Sequence, residues 1–321
     1  MHSSATPYLK ALGTRLLAGI PVLLLVTFAA TALSDLMAGS AAQAILGEFA
    51  TPEQIAQLNA AYGYDLPAWQ RYLRWLGNAL QGDLGHTLYS QQPVAQVLFD
   101  RALVTFEIAF AAMIFSLAVA VPLALAMAAR AGGRLDSALR FAASAMLAVP
   151  TFVSVVVLSL LFSIFLRWLP ATGWVPFFDD PLGNLRHLIL PVMCLSVHQV
   201  AYFFRVARNE FLATLQQDFI ASARAKGFST RYILWHHVLR PSLPQVLTVM
   251  GLSMTYLLGG SFIVESFFAI PGIGWTVLSA VQDHDLAMVQ AILVLTVLIF
   301  VLVFALVDLG YALIDPRVEV K

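Results

Sequence analysis

Residues 218–244 read DFIASARAKGFSTRYILWHHVLRPSLP, a polar and basic stretch in a chain that is otherwise strongly apolar. Hydrophobic residues make up 60% of the 321 residues and charged residues 11%, whereas soluble domains have about 45–50% apolar and about 25% charged residues. The mean hydropathy is +0.81. This composition predicts an all-α polytopic membrane protein, in which residues 218–244 form a loop between two membrane-spanning helices.

Six uncharged runs are long enough to cross a bilayer, which needs roughly 17–25 helical residues. Helices are expected because backbone groups in lipid must be satisfied internally, and these runs lack the two-residue alternation of a barrel strand. The fourth run is the shortest and contains His198 and Gln199. The predicted spans are 16–33, 108–129, 141–166, 188–204, 243–264 and 286–307.

The Lys and Arg residues predict the orientation of these spans, because cytoplasmic segments carry an excess of positive charge. With the N-terminus inside, 13 of the 18 Lys and Arg residues fall in inside segments. The others lie outside, three of them in one long loop: Arg71, Arg74, Arg101, Arg167 and Arg186. The sequence therefore predicts a multi-pass protein with both its N- and C-termini in the cytoplasm.

The first span has an alternative interpretation as a cleaved signal peptide. Lys10 and Arg15 precede the apolar run, and Ala30-Thr31-Ala32 resembles a cleavage site with small residues. The apolar run of 18 residues is long for a signal core, and an uncleaved helix gives the even number of spans that the charge bias requires.

The predicted topology divides the chain into three parts. Residues 1–33 form an N-terminal cytoplasmic tail and the first transmembrane helix, and residues 34–107 form an extracytoplasmic helical loop. Residues 108–321 form a five-helix core with a cytoplasmic loop at 207–240.

Two helices are expected in the extracytoplasmic loop. Thr51 can cap the first helix, with Pro52 in its first position and Gln54 completing a capping box. A second, amphipathic helix is expected over residues 69–80. The loop is interpreted as a helical cap on the outer surface, or as a platform for an external partner.

A helix followed by a sharp corner is predicted in the first half of the basic loop. Phe211, Leu215, Phe219 and Ala223 recur every four residues, which indicates one apolar helical stripe. Gly227 suits the left-handed position after the helix end. Arg224 and Lys226 would lie near the negative end of the helix dipole.

A second helix is predicted after the glycine corner. Ser229 can act as its N-cap, and the helix is expected to run over residues 230–239. Pro241 and Pro244 are expected to stop it before the next span.

The motif SARAKG at 222–227 resembles the cytoplasmic EAA loop of permease subunits of bacterial ABC importers. In the dipeptide, oligopeptide and nickel branch the loop typically reads DYVxTARAKG, and here residues 218–227 read DFIASARAKG. The chain is most similar to the first permease of such a transporter, which has a long external loop. Other matching stretches are ATPEQI from Ala50, YLRWLG from Tyr72, GDLG from Gly82, QPV from Gln92, RWLP from Arg167, ILP from Ile189, Glu265 with Phe268 and PGIG from Pro271, and DPR from Asp315.

The chain departs from the family pattern at two places. The family usually has a PGDP-like turn after the first helix, and Ala38-Gly39-Ser40-Ala41 stands there instead. The glutamate position of the EAA loop is also not acidic, as is common in this branch.

The resemblance implies a type I ABC importer permease that forms half of a pore for dipeptides or oligopeptides delivered by a periplasmic binding protein. It implies a location in the bacterial inner membrane, a second homologous permease subunit as heterodimer partner, and two cytoplasmic ABC ATPase subunits. Alternatives within the same machinery are nickel, a metallophore or glutathione as cargo. The implied ATPase-coupling residues are Asp218, Ser222, Ala223, Arg224, Ala225, Lys226, Gly227, Phe228, Ser229 and Arg231.

No bound cofactor, metal or catalytic residue is expected in this chain. It has no GxxxxGK[ST] phosphate-binding loop, so ATP and Mg are expected on the partner ATPase subunits. Cys194 is the single cysteine and is expected to be a buried, inert thiol. His236 and His237 are adjacent and point to different faces of a helix, which favours protein contacts over metal binding. The zero net charge gives no indication of a nucleic-acid partner.

Polar residues within the spans are costly and are therefore candidates for function. His198 and Gln199 are expected either to line the translocation path or to hydrogen-bond to a neighbouring helix. Glu265 lies at a span end, where solvation at the interface is the common role and an outer gate or helix cap the alternative. Tyr256 and Phe268 complete this set of possible pathway or gate residues. The same fifth span contains Gly251, Gly259 and Gly260 with Ser253 and Thr255, which indicates close helix packing first and pore lining second.

Two rival classes of function are weighed against the permease. A membrane-embedded hydrolase would need paired catalytic groups within the spans, but no span has Asp or Glu at mid-depth and no HExxH motif occurs. A stand-alone secondary transporter would be expected to show inverted repeats and in-membrane acids, and neither is apparent in the sequence.

Overall fold

The computed structural model describes residues 6–34, 46, 50–62 and 65–314. In these residues the regular structure is helical, apart from an isolated β-bridge between His86 and Pro93. We number the helices α1 Thr6–Ser34, α2 Pro52–Tyr62, α3 Ala68–Ala79, α4 Val94–Ala128, α5 Arg134–Ala148, α6 Thr151–Ser159, α7 Pro181–Leu215, α8 Asp218–Ala225, α9 Thr230–Tyr232, α10 Leu239–Gly260, α11 Phe262–Phe268, α12 Ile273–Gln282 and α13 Leu286–Ile314. Two π-helical segments, Leu160–Phe165 and Ile233–Val238, follow α6 and α9.

The apolar helices agree with a chain that crosses a membrane several times. By length and composition, α4, α7 and the Leu286–Val307 part of α13 can each span a bilayer. Two bent pairs raise this number to five: Arg134–Ala148 with Thr151–Phe165, and Thr230–Gly260 with Phe262–Phe268. The first predicted span lies in α1, where Gly19–Leu33 forms a shorter apolar helix.

The third predicted span, 141–166, is not one straight helix. Helices α5 and α6 meet at an angle of 102°. Pro150 causes this break, because it lacks an N–H group and keeps the preceding residue out of helical conformation. Val149 accordingly adopts an extended backbone with φ −79° and ψ 121°. The length of an apolar run does not reveal such a bend.

Contacts divide the chain into two compact units. The first unit combines the chain up to Thr105 with Pro271–Leu302, and the second combines Phe106–Ile270 with the chain from Val303 onward. The boundaries fall inside α4 and α13, so these two helices belong partly to each unit.

In the first unit, both predicted helices of the 34–107 segment are present. The capping box is confirmed, since Thr51 N donates to Gln54 Oε1 at 3.0 Å and Gln54 N donates to Thr51 Oγ1 at 3.3 Å. Helix α2 begins at Pro52, as expected. The amphipathic helix predicted over 69–80 is α3.

Helix α3 packs on α1, and Tyr72 makes several of the contacts. The hydroxyl of Tyr72 donates to Leu24 O at 3.0 Å and lies 3.1 Å from Thr27 Oγ1. Its ring meets Phe28 edge-on, with centroids 5.3 Å apart. Trp69 and Leu73 on the same helix are exposed. This packing agrees with a helical cap, while a docking role for the exposed residues remains a prediction.

A buried carboxylate joins the start of α13 to the segment before α4. Asp285 Oδ1 accepts from Met288 N at 3.1 Å, and Asp285 Oδ2 accepts from Leu88 N at 2.8 Å. Burial raises the pKa of Asp285 above its ordinary value, and the nearby Asp283 charge adds to this, although both backbone hydrogen bonds act in the opposite direction. The contact fixes residues around Leu88 to the last helix.

The second unit is built around α7, which packs against α5, α6 and α10. Phe203, Phe211 and Leu190 of α7 are almost fully buried, and so is Cys194, as predicted. Close packing is confirmed at Gly251, where a Cβ atom would lie 2.6 Å from Val307 Cγ2 of α13. The prediction of close helix packing is wrong for Gly259, because a Cβ atom there would have no other atom within 4 Å.

An ion pair inside the second unit connects α5 to α7. Arg208 donates from Nε to Asp136 Oδ1 at 2.5 Å and from Nη2 to Asp136 Oδ2 at 2.6 Å. Gly132 N donates to Asp136 Oδ2 at 3.0 Å. Both charged side chains are buried, whereas Arg140, whose Nε lies 3.6 Å from the same carboxylate, is half exposed. This buried, hydrogen-bonded ion pair fixes the position of α5 relative to α7.

We expect Arg208→Met to destabilise the detergent-solubilised protein by about 3–5 kcal/mol, because the substitution leaves the Asp136 carboxylate buried without its partner. The matched control Arg140→Gln removes an exposed arginine from the same carboxylate and should cost less than about 1 kcal/mol. Chemical denaturation of both variants measures the difference. Equal losses would show that the buried pair does not stabilise the fold.

The buried Asp285 carboxylate predicts that the stability of the folded chain depends on pH. Because its folded-state pKa is raised, the folded chain holds a proton that the unfolded chain releases. The stabilisation that this proton gives the folded chain is fully present below the ordinary pKa of 3.8. It is lost as the pH rises through the raised pKa of Asp285. The thermal midpoint of the wild type, relative to Asp285→Asn, should therefore fall as the pH is raised above 3.8. The exposed control Asp100→Asn should show no such trend relative to the wild type; a flat difference for Asp285→Asn as well would contradict the assignment.

Candidate functional site

The basic loop contains a short helix, α8, that is separate from α7. Helix α7 ends at Leu215, and Gln217 is extended with φ −76° and ψ 149° before α8 begins. The prediction of one continuous apolar stripe from Phe211 to Ala223 is therefore wrong. The break shifts the helical register, so Ile220 and Ala223 are buried while Phe219 is exposed.

The end of α8 forms the glycine corner that the sequence predicts. Gly227 has φ +79°, in the left-handed region. Phe228 N donates to Ala223 O at 3.3 Å, and Gly227 N donates to Arg224 O at 2.9 Å. This pair of hydrogen bonds is a Schellman motif, which satisfies the last carbonyl groups of the helix. The corner is thus fixed by the backbone.

The N-cap after the corner is confirmed, but the predicted stop of the next helix is not. Ser229 Oγ accepts from Tyr232 N at 3.3 Å. The helix then continues through the π-helical segment Ile233–Val238 and through Pro241 and Pro244 to Gly260. Proline is tolerated within a span where local π-helical adjustment re-satisfies the freed backbone groups. The loop and the fifth span therefore share one helical path.

Four aromatic rings cluster beside the corner, and sequence reasoning missed this cluster. The Tyr232 ring lies with its centroid 5.0 Å from that of Phe228 and 4.2 Å from that of His236. His237 lies 5.8 Å from Phe228. The spacing of Phe228, Tyr232 and His236 by four residues was a signal that could have found it. The cluster links the corner to the π-helical segment.

The predicted coupling residues form one exposed surface, with a single exception. Ala223 is buried and packs under the loop, together with Ile220, Ile233 and Val238. The exposed surface has three cationic side chains. Its exposed members are Asp218, Ser222, Arg224, Ala225, Lys226, Gly227, Phe228, Ser229 and Arg231. A cavity of about 250 Å³ beside α8 is lined by Ala128, Ala129, Leu212, Leu215, Gln216, Arg224, Thr230, Ile233 and Leu234.

The residues predicted within the spans fall into two groups. The structure brings His198 and Tyr256 together, with stacked rings 6.0 Å apart, and Tyr256 is half exposed. Gln199 is buried, and its Oε1 has no hydrogen-bond partner among the described residues. A role of His198, Gln199 and Tyr256 in the pathway stays a prediction.

Glu265 and Phe268 lie inside the subunit on α11. Ser261 Oγ donates to Glu265 Oε1 at 2.8 Å, and the Glu265 side chain is fully buried. The expectation that interfacial water solvates Glu265 is therefore wrong, because its side chain has no exposed surface. At the end of α11 the backbone of the same residue is also paired, since Ile270 N donates to Glu265 O at 2.8 Å. Phe268 is also buried, and its carbonyl accepts from Gly173 N at 2.8 Å.

The candidate site offers helix ends, cations and aromatic rings rather than reactive groups. In the part of the chain that the structure describes, no three His, Cys, Asp or Glu side chains are grouped as a metal site requires. Such a surface can bind a protein partner and transmit its movement into α9 and α10.

Comparison with known proteins identifies the family. Residues 120–320 match the family described as binding-protein-dependent transport system inner membrane component. A protein of Brucella abortus (strain 2308), named as a peptide transport system permease, is 36% identical over 95% of this chain and 97% of its own length. The dipeptide transport system permease protein DppB of Escherichia coli (strain K12) is 32% identical over 94% of this chain and 96% of its own length.

A solved structure supports the fold. The permease-containing structure described as the inward facing MetNI methionine ABC transporter has a TM-score of 0.58, with 15% identity, and the match covers 69% of this chain and 97% of that chain. At this identity the likeness shows the fold alone. The family match and the relatives along almost the whole length lead to one conclusion: the chain belongs to the binding-protein-dependent transport system inner membrane components, the permease family of ABC importers.

Proposed function

We propose that this chain is the permease subunit of an ATP-driven importer of short peptides, which are delivered by a periplasmic binding protein. The observation that carries the proposal is the exposed, doubly capped corner of the basic loop, which is anchored by buried side chains and continues into a span. The relatives named as dipeptide and oligopeptide permeases support peptides as cargo.

The proposed subunit acts in the inner membrane with both termini in the cytoplasm. It pairs with a second, homologous permease, and the pore lies between them. Two cytoplasmic ATPase subunits bind ATP and Mg, while this chain contributes no catalytic group. The exposed residues of α8 and the corner, with Arg224, Lys226 and Arg231, dock into one of these ATPases.

The geometry supports a mechanical role for the loop. The backbone hydrogen bonds at Gly227 and the N-cap at Ser229 make the corner rigid. A force on the corner therefore moves it as one body. The helical path from Thr230 to Gly260 then carries the displacement into the membrane. Ile220 and Ala223 transmit part of this displacement to the residues packed around them, because both side chains are buried in the second unit. The ATPase movement thereby changes which side of the membrane the pore faces.

Reconstitution tests the function directly. The complete complex, with both permeases, both ATPases and the binding protein in liposomes, should import a radiolabelled dipeptide only in the presence of ATP. Omission of the ATPases should abolish import. Dipeptide uptake driven by an ion gradient in liposomes that contain this chain alone would instead establish a secondary transporter.

The corner predicts a specific uncoupling mutation. We expect Gly227→Asp to insert in the membrane and assemble, yet to lose peptide-stimulated ATP hydrolysis and import. The reason is that an L residue is strained at φ +79°, which displaces the docking surface. The matched control is Gly82→Asp in the 34–107 segment, where φ is +86° and no atom lies within 4 Å of an added Cβ, as at Gly227.

The two variants carry the same backbone strain in different segments. Gly82→Asp should therefore retain ATP-dependent import in the reconstituted complex. Normal coupled import by Gly227→Asp, measured at equal membrane levels, would refute the assigned role of the corner.

A further inference from the structure

The first unit contains a cavity that is separate from the coupling loop. It has a volume of about 330 Å³. We call it the outer cavity, because the proposed topology places both segments that line it outside the membrane. Its lining residues are Thr87, Tyr89, Ser90, Val97, Arg101, Pro271, Trp275, Thr276, Ser279, Ala280, Asp283, Asp285 and Met288.

The size of the outer cavity limits what it can hold. Ligand pockets in proteins have volumes of about 300–1,000 Å³, so this cavity lies at the lower end of the range. A molecule of one or two amino acids fits such a space, whereas a longer peptide would extend beyond it.

Two opposite charges lie on different elements of the lining. Arg101 on α4 is half buried, and its Nη1 donates to Pro271 O at 3.3 Å. A guanidinium has five N–H donors, so this hydrogen bond leaves capacity for a carboxylate. Asp283, which follows α12, is exposed and can accept hydrogen bonds from an ammonium group. The pair is complementary to a zwitterion.

Two partly exposed aromatic rings line the same cavity as these charges. Tyr89 is 55% exposed and Trp275 is 40% exposed, so part of each ring is accessible. The faces of these two rings can pack against apolar or aromatic side chains of different shapes. A site of this kind fixes the charged ends of a ligand and tolerates variation between them.

The walls of the cavity are held in place before any ligand arrives. Asp285 accepts from Leu88 N, which fixes the segment that carries Tyr89 to the start of α13. Ile273 N donates to Thr105 Oγ1 at 2.8 Å, and this contact ties α12 to α4. Pre-organised walls lower the cost of ordering the site on binding.

We propose that the outer cavity binds a zwitterionic dipeptide, with its carboxylate on Arg101, its ammonium group on Asp283, and its side chains against Trp275 and Tyr89. This site rests on the proposed function and deepens it. It would hold the peptide on the permease after release from the binding protein and before passage between the two permeases.

Blocked analogues of one dipeptide test the two charge contacts separately. The purified complex of both permeases and both ATPases, without the binding protein, is titrated with alanyl-phenylalanine by calorimetry. We expect the C-terminally amidated and the N-acetylated forms to bind about tenfold more weakly or worse, because each removes one charge-assisted contact.

The variants assign each contact to its residue. In Arg101→Gln, amidation of the peptide should no longer weaken binding, while acetylation still does. In Asp283→Asn the pattern should be reversed. The matched controls Arg74→Gln and Asp100→Asn change exposed charges of the same unit that do not line the cavity, and should bind all three peptides like the wild type.

Several results would overturn the proposal. They are an absence of alanyl-phenylalanine binding, equal affinities for the three peptides, or an unchanged penalty for amidation in Arg101→Gln. If Arg101→Gln fails to assemble, Arg101→Lys keeps the charge and should keep the sensitivity to amidation; loss of that sensitivity with intact binding would count against the site.

Import measured in parallel separates this proposal from the proposed function. If the complete transporter imports alanyl-phenylalanine but the cavity variants leave the KM for import and the binding of blocked analogues unchanged, the outer cavity is not a peptide site and the importer assignment stands. If the complete wild-type transporter does not import dipeptides, the proposed function itself fails.

Discussion

A chain that crosses a bilayer needs to satisfy every backbone hydrogen bond internally, because lipid offers no partners. This need makes the chain helical and gives each proline a structural consequence. At Pro150 the helix breaks and turns by 102°. At Pro241 and Pro244 it continues, because the preceding π-helical segment adjusts the hydrogen-bond pattern. The same residue type therefore ends one helix and is absorbed by another, according to its surroundings.

The features that the sequence predicted correctly are local. The capping box at Thr51, the glycine corner at Gly227 and the N-cap at Ser229 each depend on a few neighbouring residues, so their chemistry can be read without knowledge of the fold.

The features that could not be predicted from the sequence depend on tertiary contacts. The stripe through Phe219 failed because α7 ends at Leu215 and α8 starts in a new register. The burial of Glu265 could not be predicted, since it depends on the packing of α11 against α6 and α7. The outer cavity was missed for the same reason: Arg101 and Asp283 are far apart in sequence and line one cavity only in the folded chain.

The chain passes between the two units at three places that differ in backbone structure. The chain crosses the boundary within α4, within α13 and between Ile270 and Pro271. The first two crossings are continuous helix and resist bending. The third follows Ala269, which has a left-handed backbone with φ +53°, and precedes the proline whose carbonyl accepts from Arg101. The backbone at this third crossing is therefore set by a left-handed residue and a proline, whereas the other two crossings are helical.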